Sequence, residues 1–400
     1  MTSSDLVITL PENGTVLTRD MTATQAARLA HLPPDELAVQ LGPAPGEYRM
    51  TAGNKIGVIL GEGLHIRIEP KVPIANLFTM LTYADGLDYF REPQAPLGRS
   101  EDLFEFIVRM FVHQVDRLVR QGIQRGYVDF EEPHPFLRGR LLLGEHLRHT
   151  LTRPSEFHQR TNEFTADLLE NRILHETLSR LGRAPGLGAG LRHTLRRAAS
   201  AFAEVPPAHI TPADCDAVLY TRLNERYRPA VVLARLLLQY LALESHTGRT
   251  PFATYLLPMA LIFEQFIAAY LSQARSLTPD FSVAAQKRLT LDHGGRVTGY
   301  LDVLLERAGR PALVLDTKYK VYGEKPSNAD LYQMAAYAQT VGVAAAVLLY
   351  PGEAPPDAPI DLKLGIRMHP RALPLTGTLA EFRAACERLV GWLVGEMVPV

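Results

Sequence analysis

Three strand-length segments in close succession, Phe281–Thr290, Val297–Glu306 and Ala312–Lys320, place the tightest constraint on how this sequence folds. The turns between them, Asp292-His293-Gly294-Gly295 and Arg307–Pro311, are short, which makes neighbouring strands antiparallel. A helical pattern over Pro258–Ala274 precedes the three strands. A second helix follows Ser327 and Asn328, carries Asp330 in its first turn and runs to Val341. Ala344–Tyr350 then reads as a buried strand and Phe382–Val398 as a closing helix. The order is αβββαβ, a mixed sheet flanked by helices.

The rest of the chain divides in two. Residues 1–95 alternate short strand patterns (Leu6–Leu10, Glu47–Thr51, Lys55–Leu60, His65–Glu69) with turn residues, interrupted by a helix over Ala23–Ala30. This predicts a β-rich, barrel-like domain that ends near a helix over Asn76–Tyr83. Residues 96–250 are mainly helical: Phe104, Ile107, Val108, Phe111, Val112, Val115 and Leu118 recur at helical spacing. Further helices are expected over Thr165–Leu181, Leu191–Ala203 and Arg228–Leu243, with strands over Phe136–Leu143 and Glu156–Thr161. Residues 251–400 hold the αβββαβ module, so the fold class is α+β, or mixed.

Composition narrows the chemistry. Two cysteines, Cys215 and Cys386, cannot supply a disulfide framework, a four-cysteine zinc site or a cysteine-ligated iron–sulfur cluster. No apolar run is long enough to span a bilayer, and the start lacks the basic and apolar regions of a signal peptide, so a cytoplasmic protein without a membrane role is expected. The 42 basic and 43 acidic residues nearly cancel, which argues against a uniformly cationic nucleic-acid binder. Only seven of the 42 are lysines, and Lys318, Lys320 and Lys325 cluster just after the third strand.

Asp316, Lys318 and Lys320 alternate along that third strand and so share a face, with Asp302 on the antiparallel neighbour. Adjacent carboxylates repel unless a cation joins them or one is protonated. Oxygen ligands in small number suit Mg²⁺, with Mn²⁺ as a substitute, leaving waters for a phosphate and a nucleophile. A lysine beside them can orient a water or stabilise phosphorane charge, which points to phosphodiester hydrolysis. Glu264 is a carboxylate in an otherwise apolar helical stretch, and Gln333 and Tyr337 lie four apart on the helix after Lys318. Lys287 and Arg288 on the first strand, and Lys320, are placed to touch DNA. Arg138 and Arg140, flanking Gly139, are candidates for contacting a partner. Lys71, after Pro70, reads as a strand terminus, with contact to a partner as the second reading.

The constellation resembles the PD-(D/E)xK nuclease superfamily, with Leu301 standing where the pattern often has proline. The resemblance implies that Glu264, Asp302 and Asp316 are metal ligands, that Lys318 is the catalytic lysine, and that Gln333-x-x-x-Tyr337 is the QxxxY element of the RecB-like branch. Asp316-Thr317-Lys318-Tyr319-Lys320 with Asp330–Ala338, Ile56–Ile59 with Ile68–Lys71, Leu137–Leu141, Arg160–Thr165 and Glu170–Leu174 together resemble the McrC family, nuclease subunits of modified-cytosine restriction systems. That family implies a partner, an McrB-like AAA+ GTPase hexamer. The N-terminal region docks on it and stimulates it, while the C-terminal domain cuts double-stranded DNA at sites the partner recognises by their modification. The chain has no G-x-x-x-x-G-K-[ST] loop, consistent with nucleotide hydrolysis in the partner. A stand-alone RecB-like or resolvase-type nuclease, and a non-catalytic activator of the GTPase, are the alternatives.

Overall fold

The computed structural model describes residues 6–61, 63–84, 103–149, 155–184, 187–244, 252–274, 281–320, 322, 326–353 and 358–396. The expected boundary near residue 95, Lys325 and the N-terminal Met1–Asp5 lie outside them.

The N-terminal segment contains β1 (Leu6–Pro11), β2 (Thr15–Thr18), α1 (Ala23–Leu29), β3 (Leu37–Leu41), β4 (Tyr48–Ala52), β5 (Lys55–Gly61), β6 (Leu64–Glu69) and α2 (Ile74–Ala84). Thr22 caps α1 through a reciprocal capping box with Gln25. The barrel expectation is corrected: β1 pairs in parallel with β6, which neighbours β5, while β2, β4 and β3 form a separate antiparallel sheet. Parallel pairing of β1 with a strand some fifty residues later needs a crossover, and that crossover is where the second sheet sits.

The middle segment contains α3 (Leu103–Gln121), β7 (Gly126–His134), β8 (Arg140–Leu141), α4 (Leu143–His149), β9 (Phe157–Thr165), α5 (Leu169–Arg183), α6 (Ala189–Ser200), α7 (Pro212–Asp216), α8 (Arg228–Tyr240) and β10 (Leu241–Glu244). Two expectations change here. The strand over Phe136–Leu143 contracts to Arg140–Leu141 with a helix after it. The last helix stops at Tyr240, and Leu241–Glu244 pairs with β11 (Phe252–Pro258). Asn171, fully buried on α5, donates to the Gln124 and Ala166 carbonyls and accepts from Tyr227, which fastens α5 to the end of α3 and the start of α8.

The C-terminal segment follows the expected order: α9 (Met259–Ala274), β12 (Phe281–Thr290), β13 (Thr298–Arg307), β14 (Arg310–Thr317), α10 (Asn328–Val341), β15 (Ala345–Pro351), β16 (Ile360–Asp361), β17 (Arg367–Leu373) and α11 (Leu379–Glu396). The sheet order is β12-β13-β14-β15-β17-β16, antiparallel through β14 and parallel from β14 to β17. Ser327 caps α10 by accepting from the Asp330 amide, and Gly342 ends it in the left-handed conformation (φ 82°).

The structure divides into two compact units. One is built on Asp102–Tyr255 with Ile59–Gly63, and the other joins Leu6–Val58 and Leu64–Glu101 to Leu256–Val400. Within the second, α2 packs on α9, and the buried Asn76 side chain donates to the Leu375 and Gly377 carbonyls at 2.9 and 3.2 Å. Among the described residues, no helix is long and apolar enough to cross a membrane.

Candidate active site

The β13–β14 register fixes the two aspartates. Val303 pairs with Leu315, so one step further along the ladder Asp302 faces Asp316. Asp302 is half-buried, and its Oδ2 accepts from the Thr317 amide at 2.7 Å and the Thr317 hydroxyl at 2.8 Å. Asp316 is buried, 2% exposed, and its Oδ2 lies 2.6 Å from Lys318 Nζ. That ammonium also donates to Gln333 Oε1 at 3.1 Å, and Gln333 Nε2 donates to the Tyr337 hydroxyl at 3.0 Å. One chain of polar contacts therefore runs from strand β14 through Lys318 to the exposed-to-buried face of α10.

The strand edges closer to the site than the sequence pattern implies. β14 ends at Thr317 and not at Lys320, yet the Lys318 amide still donates to the Leu349 carbonyl at 2.8 Å, which keeps Lys318 in line with the sheet. Lys320 turns to Asp330 at 2.5 Å, an ion pair at the start of α10. Across the other edge, β12 pairs Ala285 with Val303 and Lys287 with Leu301, and the residue between them, Gln286, is absent from the ladder and left-handed (φ 50°). Register sets Gln286 opposite Asp302. Leu301 and Leu304, which strict alternation sends to opposite faces, both join the core that contains Met334 and Tyr337 of α10. The sheet thus changes phase at Asp302.

Glu264 on α9 completes the cluster. Burial, then the charges of Asp302 and Asp316, push its carboxyl up to about 7, and Asp316 rises to about 6 through burial and the Asp302 charge. Burial lowers the Lys318 pKa, but Asp316 and the neighbouring Asp330 and Asp302 outweigh it, so the ammonium is held charged. These shifts describe carboxylates short of positive charge. Glu264 Oε1 is also buried without a hydrogen-bond partner. No three His, Cys, Asp or Glu side chains among the described residues converge as a ready-made metal cage. Mg²⁺ does not require one, because it takes one or two carboxylates and completes its shell with water and phosphate oxygens. Asp302 and Asp316, or either of them with Glu264, match a set of one or two carboxylates.

The remaining sequence candidates separate. Lys287 and Arg288 are exposed on β12, opposite Leu301 and Tyr300. Arg138 and Arg140 belong to the other unit, exposed beside the buried Gln159, whose side chain accepts from the Arg138 and Gly139 amides. Two contributors escaped the sequence reading. Thr317, the middle residue of Asp-x-Lys, anchors Asp302. Gly299 leaves room for Tyr337, because a Cβ there would sit 2.6 Å from the ring carbon and hydroxyl. Its position three residues before Asp302, inside a strand, was the available signal.

The profile of the family described as McrBC 5-methylcytosine restriction system component matches residues 50–351, more than half of the chain. The chain belongs to the McrBC family. The type IV methyl-directed restriction enzyme EcoKMcrBC of Escherichia coli (strain K12) is 27% identical over 150 residues, 36% of this McrBC-family chain and 42% of that relative. The chain thus matches less than half the length of the curated relative. A solved half-complex of Thermococcus gammatolerans McrB AAA+ hexamers with bound McrC is similar at 19% identity and a TM-score of 0.63, covering 97% of this chain and all of that one. At that identity the likeness shows a shared mixed α/β fold. A second structure, the Thermococcus gammatolerans McrBC complex, covers 68% of this chain and 88% of the other at 23% identity and a TM-score of 0.42.

Proposed function

We propose that the chain is the DNA-cleaving subunit of an McrBC-like restriction complex, a Mg²⁺-dependent endonuclease that works while assembled with, and stimulating, an AAA+ GTPase hexamer. The observation that carries this reading is the Asp316–Lys318–Gln333–Tyr337 chain on an αβββαβ module, with Asp302 and Glu264 against it. This is what the resemblance to the PD-(D/E)xK pattern leads one to expect. Family membership supports the restriction role on modified-cytosine DNA, and the fold shared with a chain solved on McrB hexamers supports the partner.

In this reading Asp302, Asp316 and Glu264 would hold the ion, and the chemistry it would supply is Lewis acidity toward a phosphate oxygen and a more acidic water. Thr317 fixes Asp302 through two hydrogen bonds, so that carboxylate is oriented before substrate arrives. Lys318, ion-paired and therefore cationic, donates protons in hydrogen bonds to the attacking water or a non-bridging oxygen. Gln333 and Tyr337 hold that ammonium in place. The exposed Lys287 and Arg288 contact the DNA backbone, and Arg138 or Arg140 serves the partner. The protein works in the cytoplasm, where foreign DNA enters.

The test uses the chain assembled with its GTPase partner on DNA carrying 5-methylcytosine, with Mg²⁺ and GTP. Asp316→Ala and Lys318→Ala each lower cleavage by at least ~10²-fold. Both leave stimulation of the GTPase intact, since in this reading stimulation comes from the N-terminal region. Cleavage at the parent rate by either variant refutes the site.

A further inference from the structure

β14, β15 and β17 run parallel, and the segments that follow their carboxyl ends surround a cavity of about 360 Å³. Tyr319, Lys320 and Tyr322 come from the end of β14, and Glu353 from the end of β15. Glu12 and Lys71 close it from the N-terminal strands of the same unit. In open sheets with parallel strands, the crevice beyond the carboxyl ends is where ligands bind. The volume falls within the range of small-ligand sites. Asp316 and Lys318 sit at that same end of β14, one to three residues before the first of these cavity residues, within ~12 Å of extended chain.

The lining is unusual in charge. Two of the seven lysines of the chain are here. Lys320 is held by Asp330, whereas Lys71 is exposed and has no ion-pair partner among the described residues. Glu12 is 1% exposed; its Oε2 accepts from the Tyr319 hydroxyl at 3.2 Å and the Lys71 amide at 3.4 Å, while Oε1 has no hydrogen-bond partner. A buried acceptor left unsatisfied is costly, so it marks a place where a donor is missing. An exposed lysine outside any ion pair among the described residues, its charge acting on Glu12, together with aromatic rings and a buried acceptor, matches one chemical class. A nucleotide offers a phosphate, a π face and base N–H donors.

We propose that this cavity takes one nucleotide of the DNA strand beside the scissile phosphate, its phosphate at Lys71, its base against Tyr319 and Tyr322, and a base N–H at Glu12. The inference rests on the reading of the chain as a nuclease. It gives Lys71 a role in gripping DNA, beyond terminating a strand. It also places part of the DNA grip on the N-terminal strands, although the catalytic carboxylates come from the C-terminal segment.

The experiment measures binding of a labelled DNA duplex by the full chain with its GTPase partner, without divalent ions, across a salt series. Lys71→Ala weakens binding about 3–10-fold and lowers the slope of log affinity against log salt by about one, the signature of one lost phosphate contact. Lys71→Arg keeps both within about twofold. Tyr322→Leu weakens binding about fivefold with the slope unchanged, because stacking releases no counter-ion. Unchanged affinity and slope in Lys71→Ala overturn the proposal. So does displacement of DNA from the parent, but not from Lys71→Ala, by millimolar GTP, which would make the ligand a free nucleotide. Binding is read without cleavage, so failure here is separable from failure of the nuclease reading, which Asp316→Ala tests alone.

Discussion

The carboxylate cluster gives the metal-free protein an unusual pH dependence. In the folded chain the Asp316 carboxyl sits at about 6 and Glu264 at about 7, against ordinary values of 3.8 and 4.5, because burial and mutual repulsion disfavour the charged forms. A carboxyl raised on folding contributes stability that is complete below its unfolded value and is lost as pH rises through its folded one. Metal-free protein therefore loses stability between about pH 4 and pH 8. Raising Asp316 alone corresponds to about 3 kcal/mol at full ionisation. Asp316 and Glu264 share one repulsion and Glu264 is partly open to water, so the pair costs more than Asp316 alone but less than the sum, ~4 kcal/mol. In a unit of some two hundred residues that is a fall of ~8–16 °C in melting temperature. The assay is calorimetry at pH 5 and pH 8, with and without Mg²⁺, on the parent and Asp316→Asn. Buried His369, whose pKa is lowered mainly by burial, and buried Glu12, whose pKa burial raises, also titrate, so the difference between the two proteins is the quantity read. Asp316→Asn flattens most of the fall, and Mg²⁺ restores the parent at pH 8. A parent whose fall is unaffected by both the substitution and Mg²⁺ refutes the reasoning.

Gly299→Ala drives a methyl to 2.6 Å from Tyr337, so cleavage falls at least ~10-fold and the melt reports ~1–3 kcal/mol of overpacking strain. Thr317→Val removes one of the two hydrogen bonds to Asp302 while keeping the amide, and steady-state kinetics record a ~10-fold loss of turnover at a stability cost of about 1 kcal/mol. Asn76→Ala strips the donors from two carbonyls near Leu375, and denaturant titration of the full chain shows ~1–3 kcal/mol lost.

The module from residue 258 to 351 follows the sequence reading closely because each strand there is a bounded apolar run and each turn is short. The same two facts put Asp302 and Asp316 on neighbouring strands, while the register that sets them face to face came from the structure. What the pattern could not carry was non-local. Leu241–Glu244 is apolar enough to prolong α8, and only its pairing with β11 makes it a strand. β7 is mostly polar along its length, so alternation does not mark it, while the strand expected over Glu156–Thr161 is β9, Phe157–Thr165; their ladder from Gly126↔Thr165 to His134↔Phe157 emerges only from pairing. The parallel β1–β6 pair, the Glu12–Tyr319 contact and the phase change opposite Gln286 each join positions whose proximity no local periodicity encodes. Gln333 and Tyr337 were visible because a helix brings residues four apart onto one face.

The unit that carries the candidate site is made from both ends of the sequence, and synthesis delivers those ends far apart in time. At ~5–20 residues per second, the strands that begin at Leu6 wait on the order of ten seconds or more before β14 and α10 leave the ribosome. The intervening Asp102–Tyr255 unit has its own helical core and meanwhile can collapse by itself. Asp302, Asp316 and Lys318 are aligned only once α10 has followed β14, so a nascent product that stops short of it lacks a formed candidate site. Under the proposed nuclease function, late assembly is a safeguard set by the order of segments along the chain, independent of any inhibitor.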